Sequence, residues 1–179
     1  RLRSQIAIEA GSGRFRASLS GGVEIDLSLE VAAGPEPLTA VCPVEPCGVN
    51  LTQKSTCVPA KGTVRIGPST FRMDEAFAVL DYSHGMLARE TRWHWASGGG
   101  RLADGRMVGL NLVSGFNDGE LTENGLWIDG RLRRTGRARF EFDRADPLAP
   151  WRVRTDDGAV DLRFAPEGLR AEDVNLGLV

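Results

Sequence analysis

Asp81-Tyr82-Ser83-His84-Gly85 sets a carboxyl and an imidazole three positions apart with a glycine beside them. The pair can serve as proton donor and acceptor in one cleft if the strand bends at Gly85. In an unbent strand the alternation of side chains sends Asp81 and His84 to opposite faces. The plainer alternative has Asp81 capping a turn and His84 hydrogen-bonded at the rim of a core. The enclosing stretch Leu80 to Gly100 holds both histidines, the single tyrosine and two of the four tryptophans. A site, if the chain has one, is expected to pass through it.

Thr91 to Ala96 alternates cleanly, with Thr91, Trp93 and Trp95 on one face and Arg92, His94 and Ala96 on the other. Facing a cavity, Trp93 and Trp95 would form flat apolar walls, and a desolvated indole stabilises a cation by about 1 to 2 kcal/mol. Facing away, the tryptophans are sheet-packing anchors. Arg92 and His94 read as a solvated or ion-paired surface rather than an anion site, because exposed strand faces are polar.

A second constellation follows in Gly115-Phe116-Asn117-Asp118-Gly119 and Thr122-Glu123-Asn124-Gly125. Asn-Asp-Gly and Asn-Gly are turn formers, which would explain them without a site. The other reading places Asn117, Glu123 and Asn124 at one mouth of a barrel, where they orient a polar group of a ligand. Arg131, Arg133, Arg134, Arg137 and Arg139 read as a solvated hairpin face, with a phosphate or acidic partner as the alternative. Cys42, Cys47 and Cys57 are spaced C-x4-C-x9-C, without the paired short spacing of zinc ribbons. They are expected to be reduced, partly buried thiols of a cytoplasmic protein, with no metal and no cofactor. Asn50-Leu51-Thr52 matches a glycosylation acceptor, a three-residue pattern frequent by chance.

The elements that must position these residues are strands. Phe15, Ala17, Leu19 and then Val23, Ile25, Leu27, Leu29 alternate about a turn at Ser20-Gly21-Gly22. Gly62 to Ile66 and Ser69 to Met73 read as short strands around Gly67-Pro68, with Asp74 to Leu80 either a turn of helix or another strand. Asp104-Gly105, Asp129-Gly130 and Asp157-Gly158 supply the positive φ angles of tight hairpins. They join Arg101-Leu102 to Met107–Val113, Leu126–Ile128 to Arg131–Arg133, and Trp151–Thr155 to Val160–Phe164. Arg137 to Asp143 adds a further strand with Ala138, Phe140 and Phe142 on its apolar side. Residues 32–61, with Pro35, Pro37, Pro43, Pro46 and Pro59, read as a long proline-rich connection. The expected fold is all-β: an antiparallel meander of about ten strands closing into a lipocalin-like barrel or two packed sheets. Residues 1–179 form a single β-rich domain, taken as a fragment of a longer protein because the chain opens on Arg1 and closes on an apolar run.

At 179 residues and 41% hydrophobic the chain can build a sizeable core. A net charge of −2, with acids and bases interleaved, argues against nucleic acid as a partner. No apolar run approaches the roughly 20 residues of a transmembrane helix.

The strings DYSHGMLARETRWHWASGGG and GLNLVSGFNDGELTENGLWIDGRL, with Asn50 to Ile66 and the closing Val174 to Val179, resemble the domain of unknown function 2804 family. The resemblance covers most of the chain. Family members are longer at both ends, which implies a fragment. More distantly, an acid and a histidine followed by a glycine and a tryptophan-rich strand is similar to carotenoid 1,2-hydratases and AttH-type proteins, which have lipocalin-like barrels. That similarity implies a proton-donor role for Asp81 or His84 and a cation-walling role for Tyr82, Trp93 and Trp95. The hydratases carry a tryptophan close after the histidine, whereas Gly85-Met86 follows His84 here. The expected function is binding of a hydrophobic small molecule, a lipid or isoprenoid, in the cavity. The alternatives are a hydratase or isomerase acting on an isoprenoid-like double bond, and a non-catalytic interaction module.

Overall fold

Period-two alternation and Gly-rich turns commit this chain to antiparallel pairing. The computed structural model describes residues 4–9, 12–45, 48–87, 90–119 and 121–173. Their elements are β1 (Gln5–Glu9), β2 (Arg14–Leu19), β3 (Val23–Leu29), a single 3-10 turn (Val31–Ala33), β4 (Leu38–Val44), β5 (Gly48–Ile66), β6 (Ser69–Gly85), β7 (His94–Arg101), β8 (Met107–Ser114), β9 (Gly125–Ile128), β10 (Arg131–Arg134), β11 (Ala138–Glu141), β12 (Trp151–Thr155) and β13 (Asp161–Phe164).

Three sheets form: a six-stranded one around β5, a four-stranded one in the order β10-β9-β8-β7, and a three-stranded one in the order β11-β12-β13. Among the described residues the strands form packed sheets, one of the two expected arrangements, and do not close into a barrel. The middle sheet has two buried faces because its strands alternate. Leu110, Leu112 and Leu126 pack towards Ala138, Val153 and Val160 of the third sheet and its turn. Trp127, on the other face, packs against Leu38, Ala40 and Cys42 of β4, and its Nε1 donates to Glu36 O at 2.6 Å.

Residues 32–61 are not a long connection: they hold β4 and most of β5, paired from Leu38↔Lys54 to Val44↔Gly48. Pro46 lies outside the described residues; Pro43 and Pro59, the prolines within these strands, misled because each sits where no ladder N–H is needed. Pro59 O accepts from Glu30 N, so the position of its missing N–H looks into the gap between β3, which ends at Leu29↔Ala60, and β4, which starts at Leu38↔Lys54. Pro43 shares the parity of Thr39, whose carbonyl is taken by the Arg134 guanidinium on the edge away from β5. Similarly, the two short strands expected about Gly67-Pro68 are the ends of β5 and β6, of 19 and 17 residues, and Asp74 to Leu80 is strand.

The register of β5 against β6 shifts between Ser55 and Val58, at Cys57, which has a φ of 57°. This bulge presses Thr56 and Cys57 onto the middle sheet at Gly99 and Gly109, which face each other across β7 and β8. A Cβ on Gly109 would meet the Thr56 hydroxyl and lie 3.0 Å from Cys57 Sγ; one on Gly99 would meet that sulfur and lie 2.9 Å from Val108 O. Gly98 has open space around it. Gly109→Ala and Gly99→Ala should each destabilise by about 1 to 3 kcal/mol through overpacking, with Gly98→Ala close to neutral. Urea unfolding of the three variants checks this, and equal midpoints would refute the close packing.

Candidate functional site

Asn50, Thr52 and Lys54 alternate along β5 and are all buried, at 1%, 0% and 5% exposure. Opposite Lys54 in the register stands Asp81 of β6, and cross-strand partners share a face. The Lys54 ammonium is in close contact with the Asp81 carboxylate and lies 3.2 Å from Glu123 Oε2. Glu123, in the segment before β9, is 1% exposed. Its carboxylate also accepts from Thr52 Oγ1 at 3.1 Å and from the Asn117 amide. A buried carboxylate is tolerated only when such partners replace its water.

The aromatic residues are fastened to this cluster. Trp95 Nε1 donates to Asn111 Oδ1 at 2.9 Å, and Asn111 Nδ2 donates to Glu123 O at 2.8 Å. Lys54 Nζ lies 5.9 Å from the centre of the Trp95 ring. Trp93 packs on Phe116 with ring centres 6.2 Å apart. Together Lys54, Asp81, Glu123, Trp93, Trp95 and Phe116, with Ser83, Leu87, Thr91 and Val113, line an open pocket of about 450 Å³.

Of the residues singled out in the sequence, Asp81, Trp93, Trp95 and Glu123 meet at this pocket. Asn117 takes part by bonding Glu123, and its own φ of 53° fits a turn. Asn124 does not face the pocket: Oδ1 accepts from Val113 N at 2.6 Å, Nδ2 donates to Gly136 O at 3.1 Å, and no exposure remains. The bend that would join Asp81 to His84 does not form. His84 pairs with Leu51 and Tyr82 with Gln53, so both rings lie on the opposite face of β6, stacked on each other at 6.5 Å. His94, expected on a solvated face, instead packs between Phe140 and Phe142 at 5.7 and 5.2 Å.

Lys54 is the residue that sequence reasoning missed, because it falls in the stretch read as a connection. The alternation Asn50, Thr52, Lys54 was the available signal. Asn50 and Thr52 are both buried, so their glycosylation-like triplet is part of the sheet interior. The arginine group divides, with Arg131, Arg133 and Arg134 on or beside β10 and Arg137 and Arg139 around β11, all exposed. Cys47, Glu120 and Val174 to Val179 lie outside the described residues. Cys42 and Cys57 are free and buried, and burial pushes both thiols up from their ordinary value, Glu123 adding to the effect at Cys42. Among the described residues no three His, Cys, Asp or Glu side chains are grouped as a metal ion requires, and no helix is long and apolar enough to cross a membrane.

A family model described as "Domain of unknown function (DUF2804)" matches residues 3–179. The chain belongs to the DUF2804 family. No curated protein and no solved structure matches this DUF2804 chain.

Two expectations follow from the site of this DUF2804 protein. Lys54→Ala leaves Glu123 buried without its cation and should destabilise by about 3 to 5 kcal/mol. The double variant Lys54→Met/Glu123→Gln should lose clearly less than the sum of its single changes. Additive losses in denaturant unfolding would show that the groups are not coupled. Iodoacetamide near neutral pH should leave Cys42 and Cys57 unlabelled in the folded chain and label both after denaturation, because the reactive thiolate is scarce and enclosed. Peptide mapping reads the outcome, and native labelling of either would contradict their burial.

Proposed function

We propose that the pocket beneath Trp93 and Trp95 binds a small hydrophobic molecule of the lipid or isoprenoid kind. One observation carries the reading: an open pocket of about 450 Å³ whose apolar wall is Trp93, Trp95, Phe116, Leu87 and Val113, and whose ionic groups are gathered into the single cluster Lys54, Asp81 and Glu123. Small-molecule sites combine such a volume and an apolar lining with a few convergent polar groups. Trp93 and Trp95 are 55% and 46% exposed. Covering that indole surface supplies a driving force of about 25 cal/mol per Å² buried.

Acid-catalysed hydration or isomerisation of an isoprenoid-like double bond is the second reading, favoured by a carboxyl, Asp81, in the same pocket as two indoles. It requires a carboxyl that holds a proton against apolar walls. Asp81 is already the acceptor in an ion pair with Lys54, which favours binding over proton donation.

The test is saturable quenching of indole emission by a long-chain bromoalkanol, whose bromine quenches on contact. Trp93→Ala, a change at an exposed position, should weaken binding about tenfold, in line with the roughly 1.4 kcal/mol that one well-placed aromatic wall supplies. Native mass spectrometry of the full-length protein from its own host should show a stoichiometric organic-extractable molecule. Absence of both saturable quenching and a copurifying molecule would overturn the reading, and conversion of an isoprenoid alkene to its alcohol would favour the enzyme.

A further inference from the structure

The charges around the pocket do not cancel. Its described lining holds one ammonium, Lys54, against two carboxylates, Asp81 and Glu123. The adjoining groove, which shares Thr91 and Phe116 with the pocket, holds one guanidinium, Arg92, against three carboxylates, Glu45, Glu90 and Asp118. Every described Asp, Glu, Lys and Arg on these two surfaces is included, so the described lining of the pocket and that of the groove both carry surplus negative charge. Low-dielectric walls focus such a field.

We infer that the ligand of this pocket carries a cationic head, an amine or quaternary ammonium on an apolar tail, and that Asp81 and the indole of Trp93 receive that head. The inference rests on the proposed hydrophobic-ligand reading of the same pocket.

The two carboxylates differ in what they have left to offer. Glu123 is 1% exposed and both of its oxygens are engaged, Oε2 by Thr52 and Lys54 and Oε1 by Asn117. Asp81 is 37% exposed and meets Lys54 through Oδ1; among the described residues no hydrogen bond or ion pair engages its other oxygen, which is the one offered to a ligand. Lys54 displays the coordination in miniature: an ammonium held between two carboxylates and over the Trp95 ring. A second cation arriving beside Asp81 finds Trp93 and Phe116, whose π-faces attract positive charge. An anionic head would meet the surplus carboxylates and, with Lys54 already paired twice, no unpaired cation in the pocket's described lining.

Three probes with one tail separate head from tail: decyltrimethylammonium, decanol and decanoate, each below its micelle concentration and followed by calorimetry on the full chain. The expected order is cation, then alcohol, then carboxylate, with the cation at least about tenfold tighter than the alcohol at low salt and the gap narrowing as salt screens it. In Asp81→Asn the ratio of cation to alcohol affinity should fall to within about threefold, as expected when one charge pair is removed. The ratio is read within one protein, so a general loss of stability does not mimic it. Equal affinities, or the carboxylate binding best, overturn the cationic head while leaving the hydrophobic pocket standing. Failure of all three to bind overturns both.

Discussion

A carboxylate cannot be taken out of water without something to replace the water, and the burial of Glu123 is the constraint on which this architecture turns. Its partners come from separate parts of the chain: Thr52 and Lys54 on β5, Asn117 in the turn after β8, and Asn111 of β8 through the Glu123 carbonyl. The six-stranded sheet and the middle sheet are thereby held in one relative position, since a slip of one residue along β5 would turn Thr52 and Lys54 to the other face and strand the charge. Apolar packing alone is less particular: Leu38, Ala40, Cys42 and Trp127 would tolerate small shifts. The ionic cluster fixes the register, and the apolar clusters on either side of the middle sheet supply the burial.

The same cluster fixes the pocket. Trp95 is tied through Asn111 to the Glu123 backbone, so one indole wall is oriented by a residue of the charged floor. Lys54 spends its charge on two carboxylates while its ammonium sits over that indole. Asp81 is left as the partly solvated member. The two acids thus differ in setting, one closed into the fold and one partly open to solvent.

Hairpins were legible wherever turn chemistry was explicit. Asp129-Gly130 has φ angles of 48° and 80° and joins strands that the sequence bounded to within a residue. Long strands were harder, because β5 carries Pro59 and a bulge at Cys57, and local composition there resembles a loop; only the pairing with β3, β4 and β6 shows why neither ends the strand. Closure failed for a related reason. A barrel requires the end strands to pair, and alternation within each strand says nothing about which edges meet. For the site, Asp81, Trp93, Trp95 and Glu123 were visible as rare types, but their grouping depended on the cross-strand register. Lys54↔Asp81 and Leu51↔His84 decide which side chains share a face, and register is a tertiary property. Asn124 shows the converse, a polar residue in the right place whose capacity is consumed by Val113 N and Gly136 O.

Side-chain size along β7 and β8 explains why a pocket opens where it does. At one end the strands offer Gly99 opposite Gly109, and the β5 bulge at Thr56 and Cys57 seats directly on that bare backbone. Four residues away the pairing is Trp95 opposite Val113, and there the neighbouring part of β5 presents Lys54 in place of a small apolar residue. Sheets normally pack about 10 Å apart; at Gly99 and Gly109 bare backbone receives the β5 bulge, whereas at Trp95 an indole and the Lys54 ammonium fill the space between the strands. The apolar wall and the charged cluster of Lys54, Asp81 and Glu123 line the same opening. A residue larger than glycine at position 99 or 109 would push on Thr56 and Cys57 and so on the stretch of β5 that carries Lys54, which makes the placement of the pocket's floor depend partly on residues that do not line it.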